Sequence, residues 1–203
     1  WMPFPPPRRA TPRRTQNIAQ KAWEMRKVLD RPLPRGKQEV GLSAFAFLFS
    51  EFIQYSQARV NTADQLQQKL EDAGFGIGRR VLELACLREK SSRRETRMLG
   101  ILQFITGTVW KLLFGAAADS LEKSVEEEDE FMIVERSPLV SHYISNAPCN
   151  CCAFVAGIVR GVLDDAGFPA QVSAHDREDA GTVILIKFGP EVLEREKRQE
   201  ART

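Results

Sequence analysis

The segment from Thr62 to Gly115, TADQLQQKLEDAGFGIGRRVLELACLREKSSRRETRMLGILQFITGTVWKLLFG, constrains the fold more than any other. It is a run of helix-spaced apolar residues broken only by a glycine cluster and an arginine-rich turn. Thr62 with Gln65 three residues on makes a capping box, so a helix starts there with Leu66 and Leu70 facing inward. Gly74, Gly76 and Gly78 are expected to end that helix as a C-cap and to permit a close helix crossing. The next helix carries Val81, Leu82, Leu84, Ala85 and Leu87. After the turn at Lys90 to Arg94, a long helix from about Glu95 to Phe114 places Leu99, Leu102, Ile105, Val109 and Leu112 inward, and Gly115 ends it.

Upstream, Ser43 is expected to cap a helix running to about Arg59. Phe45, Phe49, Phe52 and Ile53 share one side of it, and Phe47 and Leu48 broaden the apolar face. Downstream, Glu122 to Glu130 holds six acidic residues and reads as a solvated loop. Phe131 to Glu135 reads as a strand and Pro138 to Ser145 as a second extended piece. Cys151 to Ala166 is a buried helix, with Phe154, Val155, Ile158, Val159, Val162 and Leu163 inward and Gly167 at its stop. Ala170 to Ala174 and Thr182 to Phe188 are neighbouring strands joined by the charged turn at Asp176 to Gly181. Helices first, then strands with one helix between them, imply an α+β fold in which a helical layer packs on one face of a small antiparallel sheet. The expected layout is an arm over residues 1–40, a core domain over 41–189 and a charged C-terminal helix or tail over 190–203.

The 203 residues suffice for one domain with a real core, since about 70% of the unfolded surface is buried at this size. Charge is unevenly spread. Residues 1–37 hold ten basic side chains against Glu24 and Asp30, about +8, and the formal total of +2 leaves −6 for the rest. The first sixteen residues are rich in proline and arginine, and Ile18, Ala22, Met25 and Leu29 then fall on one face of a short helix from Asn17 to Asp30. Arg8, Arg9, Arg13, Arg14, Lys21, Arg26 and Lys27 are therefore expected to meet an anionic surface, lipid headgroups or an acidic neighbour. No aromatics interleave the arginines as single-stranded nucleic acid would require, so no nucleic-acid partner is expected. The apolar run from Ile101 to Phe114 is interrupted by Gln103 and Lys111 and is too short to span a bilayer. The first residues carry no long apolar region of the secretory kind. With four cysteines this points to a reducing compartment.

Two patterns imitate chemistry. GFGIG at Gly74–Gly78 resembles a phosphate-cradling loop, but it follows a helix rather than a strand and lacks the lysine element. Cys149, Asn150, Cys151 and Cys152 resemble a metal or nucleophile cluster, yet Cys86, His142 and His175 supply no second ligand pair and no base with an orienting group. A helix N-terminus would make one of these thiols more acidic. The turn SSRRETR, with Arg93, Arg94 and Arg97, lies near a helix start where an anion could sit. With two histidines and no telling pair of carboxylates, no catalytic residue, cofactor or metal is expected. The surplus of apolar helix surface instead favours an assembly module, with Phe45, Phe49, Phe52, Ile53, Phe104, Trp110 and Phe114 as candidate partner contacts.

The segments Leu42–Tyr55, Gly74–Leu82, Arg93–Gly100, Val109–Gly115 and Gly157–Gly167 resemble the helical-core group of small TRAPP (transport protein particle) subunits, most strongly the subunit 5 branch. The resemblance implies an α/β plait and side-by-side pairing with the most widely shared small subunit of the same fold. It also implies a scaffold role in a vesicle-tethering complex that acts as guanine-nucleotide exchange factor for a Rab GTPase, cytoplasmic and peripheral at the Golgi and the ER–Golgi interface. No catalytic residue is carried over. A sister subunit bears an acylated cysteine in the loop before its R-E-T segment. Here that loop reads REKSSRRET, with Ser91 and Ser92, so no lipid attachment is expected there. A related superfamily branch of bacterial sensors binds small ligands or metals, and the cysteine group at 149–152 is the feature that keeps this alternative open.

Overall fold

The computed structural model describes residues 40–89, 94–125, 127, 129–177 and 181–201. Its elements are helices α1 (Leu42–Gln57), α2 (Ala63–Arg88), α3 (Met98–Phe104) and α4 (Trp110–Phe114), strands β1 (Ser120–Lys123) and β2 (Glu130–Glu135), helix α5 (Ala153–Asp165), strands β3 (Ala170–Arg177) and β4 (Gly181–Phe188), and helix α6 (Pro190–Glu200). A π-helical turn, Ile105–Val109, links α3 to α4. The expected α+β fold is present: helices pack against a four-stranded antiparallel sheet of order β1-β2-β4-β3.

Local chemistry explains where the elements begin and end. Thr62 Oγ1 accepts the Gln65 amide at 3.3 Å, and Gln65 Oε1 accepts the Asn61 amide at 3.0 Å, so the capping box forms shifted by one residue on its return bond. Helix α1 starts at Leu42 behind Gly41, whose carbonyl accepts the Ala44 and Phe45 amides. Ser43 is therefore inside the first turn and not its cap. Helix α2 runs unbroken through Gly74, Gly76 and Gly78, against the expected stop. Each glycine costs a helix interior about 1 kcal/mol, and the packing of α2 on α5 outweighs that.

The reason is geometric. A Cβ at Gly74 would lie on the carbonyl oxygen of Phe154, and one at Gly78 on that of Ile158. Reciprocally, Gly157 faces the Glu71 carbonyl and Gly161 the Phe75 carbonyl. Two pairs of glycines four residues apart bring the backbones of α2 and α5 together, which no side chain would allow. The expected close crossing is real, and the C-cap is not. Helix α5 does end in glycine: Gly167 at φ 81° donates to Asp164 O (3.0 Å) and Phe168 to Leu163 O (2.8 Å), a Schellman motif.

The long helix begins at Met98, later than expected, because Glu196 Oε2 of α6 accepts the Met98 amide at 3.1 Å. Met98, Ile101, Leu102, Ile105 and Val109 form its inward seam. Leu99, expected inward, lies one step off that seam and is half exposed. The π turn frees a carbonyl at Thr106, and the Ala118 amide fills it at 3.0 Å. Gly115, at φ 84°, ends α4 as expected.

In the sheet, Phe131 pairs with Ile186 and Ile186 with Val172, and Ile133 pairs with Ile184 and Ile184 with Ala174. These side chains form the inner face, and α5, buried along nearly its whole length, lies between the sheet and α2. Two sequence expectations fail beside it. The acidic stretch is not all loop, since Glu122 belongs to β1 opposite Met132 and Glu130 starts β2. The edge strand β1 tolerates such charge, and Glu130 in the interior strand β2 is paired with Lys187 at 2.9 Å. Pro138 to Ser145 is not extended: Ser141, His142 and Ile144 amides bond to Pro138, Leu139 and Ser141 carbonyls in successive turns. The strands β3 and β4 form as expected, with β3 continuing through Asp176 to Arg177. Among the described residues, no helix is long and apolar enough to cross a membrane.

Candidate assembly surface

Helix α1 is apolar on two opposite sides. Its inner side is anchored by Phe49 and Ile53, with Phe45 stacked on Phe49 at 5.7 Å and Phe49 against Phe154 of α5 at 5.1 Å. Its outer side presents Phe47 (79% exposed), Leu48 (71%) and Tyr55, whose ring is covered by the Arg59 guanidinium 3.5 Å from its centre. Burying side chains of this size is worth about 1.5–3 kcal/mol each, a gain that the domain by itself leaves unrealised on this face.

The seven candidate contacts divide accordingly. Phe49, Ile53 and Trp110 are core residues of this chain, and Trp110 donates its indole N–H to Glu135 at 2.9 Å. Phe45, Phe52, Phe104 and Phe114 are half-buried. Phe45 and Phe114 meet in a groove of about 580 Å³ between α1, α2 and α4, whose floor includes Ile77, Leu112 and Phe154 and whose rim carries Arg88 and Lys111. Arg88 Nε is buried there without a hydrogen-bond partner. Phe47 and Leu48 stand in the sequence as part of a broad apolar face. Helical periodicity cannot say which half of such a face the domain itself consumes. Tyr55 was not singled out, although its spacing of seven from Leu48 places it on the same outer stripe.

The basic residues Arg8, Arg9, Arg13, Arg14, Lys21, Arg26 and Lys27 lie outside the described residues, as do Ser91, Ser92 and Arg93. The described part of the arginine turn is committed internally. Arg97 pairs with Glu196 at 2.9 Å, and Arg94 donates to the Ala166 carbonyl at 3.3 Å. The glycine motif Gly74–Gly78 is helical backbone and offers no cradle for a phosphate.

The cysteine group is packing. Asn150 accepts the Cys152 amide at 2.7 Å and donates to Asp176 at 2.9 Å, tying the start of α5 to β3. Cys151 and Cys152 are buried and Cys149 half-buried. Burial pushes all three thiols upward, Cys151 to about 11, with the neighbouring thiols and Asp176 adding to it. The expected acidifying effect of the helix start is overridden because desolvation disfavours the thiolate more. Among the described residues no group of three or more His, Cys, Asp or Glu could hold a metal ion. His142 packs edge-on to Tyr143, and His175 bonds to Ser173.

A helical layer on a four-stranded antiparallel sheet, with one apolar helix face turned outward, defines a plait-type α+β domain. The profile of the transport protein particle (TRAPP) component family matches residues 45–189. The chain is 55% identical over 177 residues to trafficking protein particle complex subunit 5 of Dictyostelium discoideum, covering 83% of this chain and 95% of that relative. It is 47% identical over 179 residues to the human protein of that name (86% and 94% covered), and 33% identical to subunit 31 of Saccharomyces cerevisiae (79% and 80%). The chain belongs to the TRAPP component family. Its fold matches a trafficking protein particle complex subunit 3 from Naegleria fowleri, solved covalently bound to palmitic acid, with a TM-score of 0.63 at 14% identity over 73% of this chain and 95% of that one.

Proposed function

We propose that the chain is a non-catalytic scaffold subunit of a TRAPP vesicle-tethering complex. In this reading it pairs side by side with the most widely shared small subunit of the same fold. The assembled complex then supports nucleotide exchange on a Rab GTPase in ER-to-Golgi and Golgi traffic. The observation that carries the reading is the outer face of α1, where Phe47 and Leu48 stand in water on a helix whose other side is fixed in the core. The groove with Phe45 and Phe114 adds a second open apolar surface that α1 also lines. Members of the family named as complex subunits make another subunit the natural cover.

The test is size-exclusion chromatography with light scattering on the chain alone and co-expressed with the shared small TRAPP subunit. A one-to-one pair, with the lone chain poorly soluble, is expected. A well-behaved monomer that ignores the partner sinks the scaffold reading. The basic arm adds a second proposal, resting on its charge of about +8: it docks the assembly on anionic membrane or an acidic neighbour. Each basic residue near such a surface contributes about 1 kcal/mol. Liposome recruitment that is unchanged at physiological salt after deletion of residues 1–37 removes the membrane version.

A further inference from the structure

Beside the apolar core lies a smaller hollow of about 200 Å³, between the end of α4, the turn after β2 and the start of α5. Trp110, Phe114, Leu139, Val155 and Ile184 wall it, and Glu135 of β2 lines it. One carboxylate oxygen of Glu135 takes the Trp110 indole N–H, and the other has no hydrogen-bond partner among the described residues. No basic group among them lies within ion-pair distance of Glu135. Burial raises its proton affinity, and the nearby Asp119 charge adds to this against the opposing hydrogen bond from Trp110. Asp119 itself accepts the Arg136 backbone amide at 2.8 Å.

A half-buried carboxylate with one oxygen free, facing a hollow walled in part by Trp110 and Phe114, is a ready acceptor for a cation. The hollow is below the roughly 300–1,000 Å³ of sites for drug-sized ligands and cofactors, and suits a single long side chain. Guanidinium matches both of its features. It pairs with carboxylate in a planar fork and lies favourably against aromatic rings. Arginine is also over-represented among the buried anchors of protein interfaces.

We infer that this hollow is an anchor site for an arginine presented by a partner chain of the assembly. The inference rests on the assembly reading above. It places a second contact beside the apolar groove, with which the hollow shares Phe114 and Leu139, one that selects partners by charge rather than by apolar area.

Two measurements on the full chain test it. In a Trp1→Phe, Trp23→Phe background Trp110 is the only indole, and its N–H resonance reports on Glu135 directly. Butylguanidinium chloride should shift that resonance saturably against a sodium chloride control, and Glu135→Gln, which keeps an acceptor for the indole, should abolish the shift. Absence of a saturable shift in the Glu135 chain overturns the site. In the co-expressed assembly, Glu135→Gln should weaken pairing at least about tenfold without lowering the melting temperature of the lone chain. Unchanged pairing overturns the partner's arginine as occupant, while the wild-type pair still stands for the scaffold reading. A wild-type chain that pairs with nothing sinks the scaffold reading and the anchor with it, and a saturable shift in that case marks a site for a free small cation.

Discussion

The α2–α5 crossing and the outer face of α1 are both low-polarity helix surfaces, and the chain treats them in opposite ways. At the crossing, Gly74, Gly78, Gly157 and Gly161 remove every side chain so that two backbones touch, and nothing is left for a partner. On α1, Phe47 and Leu48 keep large side chains that the domain itself does not cover. Internal packing rewards a surface that vanishes, whereas an interface between chains needs one that projects. The same contrast recurs along α1, with Phe49 and Ile53 consumed by the core one helical turn from residues left exposed.

Breaking the crossing gives the largest expected effect. Gly78→Ala or Gly157→Ala places a methyl on a carbonyl of the facing helix, backbone against backbone, where neither side can rotate away. Overpacking of this kind costs about 1–3 kcal/mol or more, so thermal unfolding should shift down by several degrees in each variant. Gly76, between them, has nothing within 4 Å of its would-be Cβ. Gly76→Ala should therefore stabilise the chain by about 0.5–1 kcal/mol, as in an ordinary exposed helix. If all three variants melt alike, the close crossing is not what holds α2 to α5.

On the other side of the comparison, Phe47→Asp and Leu48→Ser should leave the lone chain within about 0.5 kcal/mol of its original stability, since surface substitutions away from packed features rarely exceed that. Both should make the lone chain more soluble. In pairing with another small TRAPP subunit, a buried aromatic anchor is worth about 2 kcal/mol or more, which is over tenfold in affinity. Equal pairing by the aspartate variant, measured by light scattering or calorimetry, assigns the interface elsewhere.

How much of this was legible in the sequence follows from the range of each signal. The strands at β3 and β4, the buried α5 and its Gly167 stop, and the box at Thr62 and Gln65 rest on neighbours a few residues apart, and each forms. Several of the failures depended on contacts distant in sequence. Gly74 and Gly78 read as a break because local propensity knows nothing of Phe154 and Ile158, some eighty residues on. The late start at Met98 is set by Glu196, from the far end of the chain. β1, only four residues long, was hidden by the acidic run that follows it. The interface candidates were chosen as large apolar side chains, and period alone cannot separate Phe49 from Phe47. Glu135 was passed over because its distinction lies in Trp110, which reaches it across the fold.

Smaller effects sharpen the picture of what is internal. Glu135 binds its proton more tightly folded than unfolded, so its ionisation opposes folding. The stability tied to its protonated form is present below the ordinary carboxyl value of 4.5 and is lost as pH rises through the elevated folded value. Across that window the lone chain should lose stability relative to Glu135→Gln, a difference that a partner cation would diminish; parallel pH profiles of the two melting curves would show that the carboxylate is adequately solvated.

The thiols give the gentlest test, because nothing needs to be mutated. Cys86 is exposed on α2, Cys149 is half-buried, and Cys151 and Cys152 are both buried and held protonated by their surroundings. A disulfide reagent at mildly alkaline pH should therefore modify Cys86 first and Cys149 more slowly. Cys151 and Cys152 should react only at the rate at which α5 opens, since reaction requires both access and a thiolate. That rate reports the stability of the glycine-lined crossing itself. It should rise in Gly157→Ala and stay unchanged in Phe47→Asp, so one chemical probe distinguishes the surface that closes on itself from the apolar surface that α1 leaves exposed.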